Sequence, residues 1–430
     1  MKSKLITVII ILNFLFLSTF QTFASNDFLN LKGEAAILMD YETGKILYSK
    51  NPYKKMYPAS TTKIMTALLA YQNLDINKKI TLDYDLGFID GSSMYLLQGE
   101  SFSVDQYMHA FLIKSCNDIA VLFANAISGS VEEFAKLMNQ KANELGAQNT
   151  HFTNPNGLHD DNHYTCVYDL ALFSKELMKY NYLRNVVKTV SYTLDETAQT
   201  PEKRYYRNTN RFLWSTRDID YKGKTIDIKY DLIDGIKTGY TSKARNCLSS
   251  SGEKDKLRLI AVVLKSEGFE IYTDSRKLID YGFDNFKRFV IQNKNNRIGS
   301  KEFKFSKENI LNYGIKDDFT LVEKKDFLPS SLKKQIELEK NISYPIKKGD
   351  VIGNISYYNN DELITKRSLI ALNDVHFLIT MDDILAFVMK ILKYLFIIIF
   401  TLFFICLIIR FINLKRRKKN RKKRKRKKIS

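Results

Sequence analysis

The sequence predicts an α/β protein: a mainly antiparallel sheet flanked by helices, then a smaller β-rich domain and one C-terminal transmembrane helix. Three observations carry this expectation. Strand-like apolar alternations stand at both ends of residues 25–285 and enclose a helical insert. After Phe283 the chain turns Lys-rich, with short alternations broken by Gly and Asn. Residues 394–409 run sixteen positions without a charge.

Taken in order, Lys2 and Lys4 precede the apolar run 5–20 and then Thr22-Phe23-Ala24-Ser25. That is the order of charge, apolar core and small-residue cleavage site in a secretory signal, so residues 1–24 are set aside from the fold. Residues 25–285 form the first domain. Within it, residues 35–48 alternate around Glu42-Thr43-Gly44, the pattern of a hairpin. Pro58 blocks backward extension of the apolar stretch that follows, which reads as a helix with Ser60 in its first turn. Helical patterns continue over 104–125, 131–145 and 167–179. Strand character returns from Tyr230, through Gly235-Ile236-Lys237-Thr238-Gly239-Tyr240-Thr241, Cys247-Leu248-Ser249 and the apolar run 257–264, and a helix over 272–281 closes the domain. Residues 286–380 carry short β alternations such as Lys301-Glu302-Phe303-Lys304-Phe305 and no cluster of candidate catalytic groups. Residues 390–412 are long and apolar enough to cross a bilayer, which needs about 20 residues of helix.

The charge balance looks at first like that of a nucleic-acid binder, at +20. However, 13 of the 67 basic residues lie within residues 415–428, which leaves only +7 on the rest of the chain. No nucleic-acid partner is expected. The basic stretch 413–430 reads as a cytoplasmic tail at anionic lipid head groups, and the positive-inside rule then puts the first domain outside the cytoplasmic membrane. The cysteines Cys116, Cys166, Cys247 and Cys406 include no CxxC pair and imply no disulfide framework.

Three short motifs carry chemistry. A serine hydroxyl is too weakly acidic to attack at neutral pH unless a base stands beside it. Lys63, three residues after Ser60, shares its helix face and supplies a nitrogen. Apolar neighbours and the positive end of the helix dipole both favour the uncharged amine such a base must be. The same residues also fit a helix cap and a snorkelling lysine. Lys114-Ser115-Cys116-Asn117-Asp118 interrupts two helical stretches, where Ser115 and Asn117 can project into a cleft. Lys237-Thr238-Gly239 lies on a strand and offers a cation and a hydroxyl to an anionic end, with Gly239 leaving room for a substrate backbone.

In this order the motifs resemble those of the penicillin-recognising serine enzymes. The wider match is to the D-alanyl-D-alanine carboxypeptidases of the S11 peptidase family, through Pro58-Ala59-Ser60-Thr61-Thr62-Lys63, Asp90-Gly91-Ser92-Ser93-Met94, Ser115-Cys116-Asn117-Asp118, Asn154-Pro155-Asn156-Gly157-Leu158-His159, Tyr168-Asp169-Leu170-Ala171, the Gly235–Thr241 stretch and Asp280-Tyr281-Gly282-Phe283. The resemblance implies a serine β-lactamase/transpeptidase-like first domain. It implies that Ser60 attacks the penultimate D-alanine carbonyl of a peptidoglycan stem peptide, with Lys63 as general base and Ser115 as proton relay. Asn117 would orient the substrate amide and Lys237 bind its carboxylate, while Thr238 and Gly239 line the strand that pairs with it. The Ser60 and Tyr240 amides would form the oxyanion hole, and β-lactams would acylate Ser60. No cofactor or metal is implied. Where the family often has an arginine before the closing helix, this chain reads Gly268-Phe269-Glu270. Arg245 is the expected substitute for part of the carboxylate binding.

Three rival readings meet the same residues. A β-lactamase needs an activating carboxylate loop between the second and third motifs, and no Glu-x-x-x-Asn is recognisable between Asn117 and Lys237. An intact Ser60, Lys63, Ser115 and Lys237 set argues against a non-catalytic peptidoglycan-binding protein. A metal hydrolase would have to use His159 and His163, which lie in a loop with no third clustered ligand.

Overall fold

The computed structural model describes residues 27–339, 342–379 and 381–426, and the expected signal segment 1–24 lies outside them. The chain divides into two compact units. One holds the described residues up to Phe289 together with Leu321–Phe327, and the other holds Val290–Thr320 and the chain from Leu328 onwards.

The first unit is built on a five-stranded antiparallel sheet. Its strands are β1 (Ala35–Asp40), β2 (Ile46–Lys50), β3 (Ile233–Thr241), β4 (Arg245–Lys254) and β5 (Leu257–Ser266), in the spatial order β2-β1-β5-β4-β3. The expected hairpin is β1–β2. Successive side chains of a strand face opposite sides, and here both sides are covered. Ile37 and Met39 of β1, with Ile260 and Val262 of β5, enter one apolar core, while Leu38, Leu259 and Val263 enter the other. For this reason β1 and most of β5 read as continuous apolar runs.

Helices α1 (Lys63–Asn73), α2 (Val104–Lys114), α3 (Asn117–Ser128), α4 (Val131–Glu144), α5 (Val167–Leu177) and α6 (Asn181–Lys188) supply most of the first core, and α7 (Glu270–Asn285) packs on the second. A capping box at Ser103 and Gln106 starts α2. Three ribbons of three- or four-residue strands fill gaps the sequence reading left blank: Lys79–Thr81 with Ser101–Ser103, Ser191–Leu194 with Arg204–Arg207, and Asp218–Tyr221 with Lys224–Asp227. Such strands are too short for a two-residue period to stand out.

In the second unit, Gly299–Glu302, Ile310–Ile315, Lys333–Leu338, Val351–Asn359 and Glu362–Ala371 form another five-stranded antiparallel sheet. Beyond it runs α8 (Met381–Arg426), the one helix among the described residues long and apolar enough to cross a membrane. The cysteines are free, with Cys116, Cys166 and Cys247 buried.

Candidate active site

Ser60 lies not in an α-helix but in the 3₁₀ turn Ala59–Thr62 that runs into α1. A 3₁₀ helix has three residues per turn, so positions i and i+3 eclipse. Lys63 is thereby stacked over Ser60, with Nζ 2.9 Å from Oγ. No side chain caps the turn or α1, so the capping role open to Ser60 on sequence is not the one it has. The turn is pressed against a neighbouring loop: a Cβ on Gly157, whose φ is +83°, would stand 1.9 Å from the Ala59 carbonyl oxygen. Only glycine fits there.

Lys63 is fully buried, and burial, helped by the nearby Lys237 charge, pushes its ammonium well below the usual lysine range. Two of its three polar neighbours can only accept: Asn117 Oδ1 at 2.6 Å and the Asn156 carbonyl at 2.7 Å. A neutral amine has two hydrogens and one lone pair. With both hydrogens donated to those oxygens, the lone pair is left for the Ser60 hydroxyl proton, the arrangement a general base needs.

The second motif falls at the break between α2 and α3. Ser115 ends α2 in the left-handed region at φ +70°, and its buried hydroxyl has no protein hydrogen-bond partner. A buried orphan hydroxyl at a strained residue is what a proton relay awaiting substrate looks like. Asn117 opens α3, and its side-chain amide also donates to the Asp90 carbonyl at 2.6 Å. Asp118 accepts from the Ser93 hydroxyl at 2.7 Å and from the Met94 and Leu96 amides, which fixes that segment against α3.

The third motif lies on β3, the edge strand. A Cβ on Gly239 would come within 2.9 Å of the Ser60 amide nitrogen and 3.0 Å of the Pro58 oxygen. The bare backbone therefore lets the strand touch the Ser60 turn, a packing need beyond the substrate clearance expected from sequence. Lys237 is buried behind the strand, its Nζ donating to the Thr238 carbonyl at 3.0 Å, and burial pushes its pKa down to about 7. The Thr238 hydroxyl donates to the Thr209 hydroxyl at 2.7 Å. Between these elements opens a cavity of about 670 Å³ lined by Ser60, Ser115, Asn117, Thr238, Gly239 and Tyr240 among others, while Lys63 and Lys237 stand behind its wall.

Comparison with known proteins settles the family. Residues 21–268 match the D-alanyl-D-alanine carboxypeptidase family, S11 peptidases, and residues 286–376 match the C-terminal domain of penicillin-binding protein 5. The chain belongs to the S11 D-alanyl-D-alanine carboxypeptidases. It is thus a serine peptidase, a hydrolase. Its relatives include D-alanyl-D-alanine carboxypeptidase DacF of Bacillus subtilis, 34% identical over 80% of this chain and 86% of that protein. DacA of Haemophilus influenzae is 32% identical, again over 80% and 86%. Among solved structures, penicillin binding protein 5 of Haemophilus influenzae aligns with a TM-score of 0.64 at 29% identity, covering 80% of this chain and 98% of that one.

Against this S11 frame, Ser60, Lys63, Ser115, Asn117, Lys237, Thr238, Gly239 and Tyr240 converge on one site. Arg245 does not join them: it lies outside the cavity lining, exposed, with Nε 3.5 Å from Glu267. Of the two loop histidines, His159 is exposed and packs edge-on against Tyr57, whereas His163 is buried. The Thr153 amide donates to His163 Nδ1 at 3.1 Å, which leaves Nε2 to carry the proton and donate to Thr62 Oγ1 at 2.8 Å. His163 therefore braces the Ser60 turn, and burial pushes its pKa down to about 4. Among the described residues no group of three His, Cys, Asp or Glu is placed to hold a metal ion. Sequence reasoning also passed over Arg211, which lines the cavity from the 3₁₀ turn Arg211–Leu213; the polar run Asn208-Thr209-Asn210 before it was the available signal.

Proposed function

We propose that the enzyme removes the terminal D-alanine from peptidoglycan stem pentapeptides through an acyl-enzyme on Ser60, that β-lactams acylate the same oxygen, and that the reaction serves cell-wall biogenesis. Lys63 takes the Ser60 proton as Oγ attacks the penultimate carbonyl. The oxyanion that forms is met by the Ser60 and Tyr240 amides, each such donor typically worth about 10²–10³ in rate. Ser115 passes the proton to the leaving D-alanine nitrogen, and the C–N bond breaks. Asn117 orients the substrate amide, and the edge of β3 pairs with the peptide through Thr238 and Gly239, with Lys237 lending positive potential to the substrate carboxylate. Water then releases the shortened peptide and frees Ser60. The support is the 2.9 Å contact of Lys63 Nζ with Ser60 Oγ, with both amine hydrogens engaged by carbonyl oxygens.

The enzyme works outside the cytoplasmic membrane, with residues 1–24 as its export signal, α8 as a single-pass anchor and the basic tail 413–430 at anionic lipid on the cytoplasmic side. The apolar length of α8 and the run of basic residues after it support this orientation. Full-length protein and its Ser60→Ala variant, incubated with a fluorescent penicillin and separately with a diacetylated tripeptide ending in D-Ala-D-Ala, test the reaction. Labelling and D-alanine release both present in wild type and both lost in the variant are expected. Labelling without peptide turnover would refute the carboxypeptidase reaction.

A further inference from the structure

The cavity wall beside Thr238 carries a cation with no task in the proposed acyl transfer. Arg211 is half-buried and lines the cavity. Arg204, Arg245 and Arg258 each have an acidic partner, and Arg211 has none among the described residues. Its guanidinium carbon lies 4.9 Å from the centre of the Phe269 ring, and that of Arg217 lies 4.1 Å from the same ring. Two guanidinium groups on one ring, neither with an ion-pair partner among the described residues, make a positive surface suited to an anion.

The turn that carries Arg211 is fixed to the site. The Thr238 hydroxyl bonds Thr209, the Arg211 amide donates to the Tyr272 hydroxyl at 3.2 Å, and Asn210 Oδ1 accepts from the Phe212 amide at 3.2 Å. The other cations are worse placed. Lys237 lies behind the wall with its nitrogen engaged by the Thr238 carbonyl. Lys114 lines the cavity from the end of α2, but its ammonium is a point charge that cannot make a planar two-oxygen contact. A peptide cleaved one residue from its end brings a carboxylate close to the attacked carbonyl, and a planar guanidinium is the group that holds a carboxylate at two oxygens.

We infer that the Arg211 guanidinium, held against Phe269, receives the C-terminal carboxylate of the substrate, with the Thr238 hydroxyl beside it, and so restricts cleavage to free chain ends. Resting on acyl transfer at Ser60, the assignment gives this chain a carboxylate-binding cation on a different element from Arg245.

The test uses full-length wild type, R211Q and R211K, with the D-Ala-D-Ala tripeptide as free acid and as C-terminal carboxamide, and acylation by a penicillin and by its methyl ester. Wild type is expected to prefer both acids. In R211Q, KM for the acid peptide should rise about 10- to 100-fold, as for loss of one charged hydrogen-bonded contact, with the carboxamide unaffected and the preference gone. R211K should regain only part of it, since an ammonium cannot make the two-pronged contact, and it decides the matter if R211Q does not fold. Equal losses on acid and carboxamide, or an unchanged acid preference in a folded variant, would overturn the assignment alone. A wild type inert to both peptide and penicillin would overturn the chemistry at Ser60 and this inference with it.

Discussion

The two walls of the cavity are built on opposite plans. On the helical wall, Ser60, Lys63, Asn117, Asn156, Thr62 and His163 are linked by direct contacts of 2.6–2.9 Å, and every one but Ser60 is buried. On the strand wall, Tyr240 is 61% exposed, and Arg211 lines the opening against the Phe269 ring, which also carries Arg217 and stacks on Tyr272. One wall holds the proposed reacting atoms in place in the substrate-free protein, which is what proton transfer and charge stabilisation require. The other leaves the Arg211 guanidinium without an ion-pair partner among the described residues and Tyr240 open to the cleft, as the proposed peptide contacts require. The Ser60–Lys63 pair is thus fixed on one side of the cleft, while most of the side chains left open lie on the other.

The sharpest way to break this contrast is at the base. Lys63→Ala removes the lone pair and should lower acylation by labelled penicillin about 10²–10⁴-fold, with melting temperature little changed or raised because a desolvated amine is gone. Next comes Gly157→Ala, whose methyl would overlap the Ala59 carbonyl; roughly 3 kcal/mol of stability, read by chemical denaturation, and most of the activity should go with it.

The pH profile sharpens the contrast further. Lys237 loses its charge as pH rises through about 7, so kcat/KM for the D-Ala-D-Ala peptide should decline above neutrality, and Lys237→Arg should move the decline upward. His163 acts at the acid end. Its folded pKa, about 4, lies below the ordinary 6.5, so the unfolded chain binds the extra proton first. Stability should therefore fall as pH drops from 6.5 towards 4, and His163→Gln should flatten that slope in denaturation curves. The smallest effect is expected at Arg245→Ala, which lies outside the cavity: KM for the peptide within about threefold of wild type, in line with a solvent-exposed ion pair.

What the sequence made legible was local. Ser60 and Lys63 could be paired because three positions separate them, and Ser115 and Asn117 could be found because a polar break between two apolar helical runs is visible in one dimension. The sheet, its hairpin and the flanking helices followed from strong periodicity. What stayed hidden depends on distant parts of the chain meeting. The Asn156 oxygen that engages Lys63 is a backbone atom 93 positions away and leaves no mark in residue type. His163 looked like an ordinary loop histidine because its partner, Thr62, is 101 residues earlier. Arg211 was missed for the same reason: the Phe269 ring beneath it lies on another element. Arg245 is close in sequence to the Lys-Thr-Gly strand, yet it stands outside the lining that Thr241, Ser242 and Asn246 share, with Nε 3.5 Å from Glu267.

The ring of oxygens around Lys63 has one more effect. Were the serine proton to move as proposed, the nitrogen would carry three hydrogens, and Ser60 Oγ, Asn117 Oδ1 and the Asn156 oxygen are three acceptors at 2.9, 2.6 and 2.7 Å. Amine and ammonium are therefore served by one unchanged set of neighbours. In the proposed reaction the particle that travels is a hydrogen nucleus, and its transfer asks for no rearrangement of these three oxygens.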